Sequence, residues 1–285
     1  MVLLNHELRI NLKSVLLWTV CVGFTCFGCN WLFGGLAKSM EQMAQAYGQM
    51  GAFSAALGLD RISVSTMEGF YATEVALIYA IGGAMFGAMT GASMLAKEEE
   101  GHTSEFLNTL PLRRGHIVLL KFLSMVLLIL LFNVLCSLWE LAGFALARQA
   151  LQEGGTVQDA AGNAGPGAEI FTGDFVRKLA LFHGAQLLMH LEVGSVCFLF
   201  SALQRKKQVG AALGFAILLY AADLVCRMLP KLEGLKYLTP YYFASGTDIF
   251  TAGRIETELM GIGLLVTGAA ALAALEIYRR KDLAA

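Results

Sequence analysis

Charge is what this sequence has least of. Asp, Glu, Lys and Arg make up 15% of its 285 residues, against about 25% in an ordinary soluble domain. Apolar side chains take up the difference, at 56% of the chain and a mean hydropathy of +0.61. That composition excludes a soluble globular domain as the basic unit. No glycine loop followed by Gly-Lys-Ser/Thr occurs, so there is no P-loop, and any ATP has to be handled by another polypeptide. Cysteine is missing from every stretch between the long apolar runs. Cys21, Cys26, Cys29, Cys136, Cys197 and Cys226 all fall inside those runs, where thiols behave as small hydrophobes and form no disulfide framework. Cys26-x-x-Cys29 has a metal or redox spacing but no further ligand nearby. The N-terminus also lacks a clean small-x-small cleavage site, and Cys29 follows a poor lipobox, so the first apolar run reads as an uncleaved span.

Six apolar stretches remain, in approximate limits Ser14–Ala37, Tyr71–Ala96, His116–Ala147, Lys178–Leu203, Val209–Leu229 and Leu259–Tyr278. At 1.5 Å per residue each crosses a hydrocarbon core of about 30 Å as a helix. The expected fold is all-α, a single polytopic membrane domain over residues 1–285. With both termini inside, the inner segments hold Arg9, Lys13, Lys97, Arg113, Arg114, Lys121, Arg205, Lys206, Lys207, Arg279, Arg280 and Lys281, twelve of the 21 basic residues. The outer segments (38–70, 148–174 and 230–258) carry 11 of the 22 acids. This split predicts cytoplasmic termini, and the expected location is the plasma membrane. The net charge of −1 argues against nucleic acid as a partner.

Several segments carry local expectations. Leu4, Leu8 and Leu12 recur every four residues while Glu7, Arg9 and Lys13 face elsewhere, which predicts a short helix on the inner membrane surface. Met40, Met43, Tyr47, Met50 and Leu57 predict an amphipathic helix at the outer surface; with no His or Cys beside them, the methionines read as packing rather than copper ligands. Gly83, Gly87 and Gly91 form a small-residue face for close helix packing. The Gly- and Ala-rich loop Arg148–Asp174 reads as a connector. Pro240 among three tyrosines and Phe243 reads as an interfacial belt.

Among the ionisable or amide side chains inside the spans, Asn133, Glu140, His183, His190, Glu192 and Asp223 stand out. Each is costly to leave unpaired in hydrocarbon, so each is a candidate in-membrane polar site facing protein or water. On an ideal helix His183 and His190 share a face and Glu192 does not, which disfavours a metal site or hydrolase. Glu99-Glu100 is similar to the paired glutamates of intramembrane CAAX-type proteases, but that pattern requires Arg where Ser104 stands.

The most informative stretch is Lys97–Lys121, KEEEGHTSEFLNTLPLRRGHIVLLK, a charge-dense insert between the second and third spans. Thr103 or Ser104 caps a short predicted helix, with Glu105 in its first turn. Phe106, Leu107 and Leu110 share a face, and Pro111 stops the helix. An apolar face just outside a bilayer needs something to bury it. Glu99, Glu100, Thr103, Glu105, Leu107, Pro111, Arg114, Ile117 and Lys121 follow a pattern that resembles the same inter-span region of type-2 ATP-binding-cassette (ABC) transporter permeases, with Gly101-His102 as a slight departure in spacing. Ser65–Phe70 and Tyr237–Arg254 are also similar.

The resemblance implies six helices per permease, a second permease copy (homodimer or heterodimer), and a separate pair of ABC ATPase subunits that bind ATP and Mg. This chain would then have no cofactor and no catalytic residues of its own. It also implies that Thr103–Leu110 is a coupling helix seated on the ATPase, with Glu99, Glu100, Arg113 and Arg114 as flanking interface residues. Phe106, Leu107 and Leu110 would each contribute roughly 1.5–3 kcal/mol if fully buried there. The expected function is ATP-driven export. The alternatives are a secondary transporter using Glu192 or Asp223 as a proton carrier and an intramembrane hydrolase. Nothing in the spans chooses a substrate.

Overall fold

The computed structural model describes residues 2–101, 103, 113–153 and 168–281, with the backbone alone for residues 37, 38, 48, 52 and 53. All regular structure among these residues is helical. In chain order the elements are α1 (Val2–Gly48), α2 (Ala52–Leu57), α3 (Met67–Met94), α4 (Ala96–Glu100), α5 (Arg114–Glu153), α6 (Gly173–Leu203), α7 (Val209–Met228), a 3-10 segment (Pro230–Tyr237), α8 (Gly246–Ala252) and α9 (Thr257–Arg280). Six of them, α1, α3, α5, α6, α7 and α9, are long and apolar enough to cross a membrane.

The expected surface helix at the N-terminus is not a separate element, because α1 runs unbroken through 47 residues, about 70 Å. Its far end also absorbs the first part of the amphipathic segment expected after residue 38. All four prolines of the chain, Pro111, Pro166, Pro230 and Pro240, lie elsewhere, so no residue in this stretch lacks its amide donor or clashes with the preceding turn. The partner of α1 is α5, 40 residues long, and the two pack along one another from end to end. Glu7 is correspondingly turned inward and only 1% exposed, where the repeat of Leu4, Leu8 and Leu12 placed it on a wet face.

Helix α3 begins in a well-satisfied cap. The Thr66 hydroxyl accepts from the Gly69 amide at 3.0 Å, and Glu169 Oε1 accepts from the Met67 and Glu68 amides at 2.8 and 3.3 Å. These acceptors occupy the free donors of the first turn. Its second turn, Tyr71–Val75, is a π turn. Tyr71 and Tyr79 are eight residues apart, about 80° round from one another on a regular helix; the wide turn removes part of that offset, and both hydroxyls reach α5.

The Gly83/Gly87/Gly91 face lies against α6 of the same chain. A Cβ at Gly91 would stand 2.1 Å from the Gly194 carbonyl oxygen, one at Gly87 2.7 Å from that of His190, and one at Gly83 2.0 Å from the His190 ring. The two backbones are thus in contact at Gly87 and Gly91, one helical turn apart. An aromatic layer of Tyr71, Phe144, Phe182 and Phe250 closes the core beyond that contact, with ring centroids 5.1–5.6 Å from Tyr71. Lys281 reaches Glu99, and Lys97 reaches Glu7. Both described chain ends therefore lie at one end of the bundle, termed the termini end below.

Candidate functional site

Polar side chains collect at three places along the bundle. At the termini end the run Glu98-Glu99-Glu100 is divided among three different partners. Glu98 Oε1 accepts from Lys121 Nζ of α5 at 2.7 Å, Glu99 Oε1 accepts from Lys281 Nζ beyond α9 at 2.5 Å, and Glu100 Oε2 accepts from the Lys207 amide in the α6–α7 link at 3.1 Å. Lys121 is fully buried and donates also to Glu7 Oε1 at 2.7 Å and to the Met94 carbonyl at 3.0 Å. Lys97 donates to the other oxygen of Glu7. The Leu95 and Ala96 amides donate to the Ser201 hydroxyl at 3.0 and 2.9 Å. Burial opposes ionisation of Glu98, but Lys121, helped by the Thr103 hydroxyl and Lys97, outweighs it and holds the carboxyl below its ordinary value of 4.5. The root of the Lys97–Lys121 insert is thereby tied to α1, α5, α6, the α6–α7 link and the end of α9.

The second collection is a chain of hydrogen bonds inside the bundle. Tyr71 donates to Glu140 Oε2 at 2.7 Å, and His183 Nε2 stands 3.2 Å from the same oxygen. His183 Nδ1 meets the Ser137 hydroxyl at 3.2 Å. Ser137 donates to the Asn133 carbonyl at 2.8 Å, Tyr79 donates to Asn133 Oδ1 at 2.6 Å, and His190 Nδ1 is 3.1 Å from that oxygen. Asn133, Ser137 and Glu140 come from one face of α5, His183 and His190 from one face of α6, and the tyrosines from α3. Four of the six in-span polar candidates are thus brought together. Glu140 Oε1 and His190 Nε2 are buried without a hydrogen-bond partner among the described residues, so this chain is incompletely satisfied.

Glu192 and Asp223 stand apart from it. Glu192 faces Gly263 of α9 and Phe243, with Oε2 buried and unpartnered. Asp223 belongs to a third collection at the opposite end. There Arg227 donates to Asp223 Oδ2 at 2.9 Å, to Asp248 Oδ2 at 2.6 Å and to the Tyr242 carbonyl at 3.2 Å, and its guanidinium lies 4.3 Å over the Tyr242 ring. Arg61 donates to Asp248 Oδ1 at 2.7 Å. Burial raises Asp248, but the two arginines outweigh it and hold the carboxyl below its ordinary 3.8. Sequence spacing offered no signal for Arg61, Arg227 or Asp248 as one cluster, since 187 residues separate Arg61 from Asp248.

No group of three or more His, Cys, Asp or Glu among the described residues is arranged to hold a metal ion. The profile of the ABC-2 family of transporter proteins matches residues 1–283, almost the whole chain. The chain belongs to the ABC-2 transporter family. Comparison with curated proteins returns no match. As an ABC-2 permease it is a multi-pass membrane component of a transporter, associated with an ABC ATPase and the lipid bilayer. Of the residues expected at the ATPase, Ser104, Glu105, Phe106, Leu107, Leu110 and Pro111 lie outside the described residues. Thr103, Arg113, Arg114 and Glu100 are exposed, and Glu99 is buried against Lys281. In this permease Glu99 is turned inward, onto Lys281. The Arg114 guanidinium donates to the Lys281 carbonyl at 3.1 Å.

Proposed function

We propose that this ABC-2 permease exports substrate across the plasma membrane, driven by ATP and Mg bound to a separate ABC ATPase pair. Both termini face the cytoplasm, and a second permease, identical or different, completes the path. Thr103–Leu110 is the coupling helix. The observation that supports the reading best is the rooting of its N-terminal side: Glu98, Glu99 and Glu100 connect it to α5, α9 and the α6–α7 link. A displacement of the segment is then passed to several spans at once rather than absorbed by a loose loop. Coupling needs such an element, with two arrangements biased by both partners.

The apolar face Phe106, Leu107 and Leu110 supplies the docking energy, and the flanking charges Glu105, Arg113 and Arg114 set its orientation. Phe106→Asp is expected to leave the permease inserted and monodisperse while abolishing co-purification of the ATPase; a normal yield of the complex overturns the reading.

A second reading, ion-coupled transport without an ATPase, draws its support from the buried chain Glu140–His183–Ser137–Asn133–His190. It requires Glu140→Gln to abolish transport in vesicles that contain no ATPase and hold only an ion gradient. Absence of transport by the wild-type chain under those conditions removes it.

A further inference from the structure

Between α6 and α7, at the termini end, the bundle leaves a groove with room for about 250 Å³. Its apolar walls are Cys197, Phe200, Ala211, Ala212 and Phe215, with the two phenylalanine rings edge to face at 5.8 Å, and Gln208 lines it as well. Gln204 sits at its end, with a side-chain oxygen buried and unpartnered. Phe200 is 40% exposed and Leu203 57%. Beyond Gln204 the link turns into α7 through Arg205, Lys206 and Lys207, all exposed. Lys207 is committed to Glu100, whereas Arg205 and Lys206 have no ion-pair partner among the described residues. Helix α7 starts immediately afterwards, and its Gln208 N-cap provides no side-chain acceptor. The amides of its first turn are open, at the end of the helix where partial positive charge favours an anion.

We propose that this groove is the seat of one anionic phospholipid. An acyl chain lies along the groove against Phe200 and Phe215, and the phosphate of the headgroup meets Arg205, Lys206 and the first turn of α7. The charge pattern selects the occupant: an apolar slot opening onto two uncommitted cations and a helix N-terminus matches a chain that ends in an anion. A second permease seated here about a two-fold axis would place this basic run against its own copy, a like-charge contact with nothing on this link to neutralise it. The proposal is independent of the ATPase and of the direction of transport.

The test is native mass spectrometry of the purified full chain equilibrated with equal amounts of dioleoylphosphatidylglycerol and dioleoylphosphatidylcholine. Wild type is expected to retain one phosphatidylglycerol in preference to phosphatidylcholine by about 30-fold, since each cation near an anionic headgroup contributes about fivefold. The double variant Arg205→Gln/Lys206→Gln, exposed and remote from the core, should lose that preference. Ala211→Trp should fill the slot and lose retention of both lipids.

Equal retention of the two lipids by wild type reduces the groove to ordinary annular contact and overturns the proposal. So does a preference that survives in the double variant. Displacement of the retained lipid by inorganic phosphate alone would make this a phosphate site without a lipid. Loss of a permease dimer in Ala211→Trp, with lipid retention unchanged, would assign the groove to the second copy. Should Ala211→Trp fail to fold, the double variant still decides.

Discussion

Lys121 spends all three of its ammonium donors inside the protein, on Glu7, Glu98 and the Met94 carbonyl. Removing a partner from a buried pair costs more than the pair itself contributes, because the remaining charge stays out of water. Lys121→Met should therefore destabilise the permease by about 3 kcal/mol, the low end for such a break because Glu7 keeps Lys97. Thermal unfolding in detergent reads this directly, and adding Glu7→Gln to the variant should recover part of the loss.

Glu98 gives the same lock a pH dependence. Its folded carboxyl titrates below the ordinary 4.5, so the unfolded chain takes up the proton first as pH falls. The stabilisation from Lys121 is complete above pH 4.5 and is lost as pH drops through the lower, folded value. Melting temperatures should decline on acidification below pH 4.5, and Glu98→Gln should make that decline shallower. An identical slope in the variant would show that other carboxylates govern the acid limb.

At the scale of elements, the contact between α3 and α6 is set by backbone approach rather than by side-chain fit. Gly91 has the Gly194 carbonyl 2.1 Å from where a Cβ would stand, while Gly184, on the same α6, has nothing within 4 Å. Gly91→Ala must push two backbones apart and should cost about 1–3 kcal/mol. Gly184→Ala places a better helix former in open space and should be neutral or stabilising by up to about 1 kcal/mol. Comparing the two melts separates close packing from helix propensity. Equal effects would mean that the helices part without cost. Because this glycine face is occupied within the chain, it is not free for a second permease.

The three glutamates of α4 show how an element inherits its role. A run of like charge reads as a solvated membrane exit in the linear sequence. Folding gives each carboxylate its own partner, so the run becomes a branching point between helices.

For the whole molecule, the consequence of the proposed function is that docking and transmission are separable. On that proposal Phe106 would act in docking, and Lys281, which holds Glu99 at 2.5 Å and the Gln204 carbonyl at 2.7 Å, would act in transmission. Lys281→Met is expected to leave ATPase co-purification intact while lowering transport per ATP hydrolysed severalfold in reconstituted vesicles. A Lys281→Met complex with wild-type transport per ATP would confine the lock to a stabilising role.

The sequence by itself determined the class of this protein. Low charge and six long apolar runs leave a helical membrane protein as the one solution that satisfies the backbone in hydrocarbon. The insert between the second and third spans carried the family resemblance, because its pattern of acids, apolar positions and proline is local. Contacts across the bundle were not local, and only tertiary structure decided them. Helical spacing correctly separated Glu192 from the histidines, yet it could not join His183 to Glu140 or His190 to Asn133, since those partners lie on different helices. It also placed Glu7 in solvent, because a four-residue repeat of leucines does not register Lys97 and Lys121, which are 90 and 114 residues away. Periodicity along one helix fixes which residues share a face; which face meets which neighbour depends on how close two backbones come, and here glycines on α3 and the length of α1 against α5 settled it.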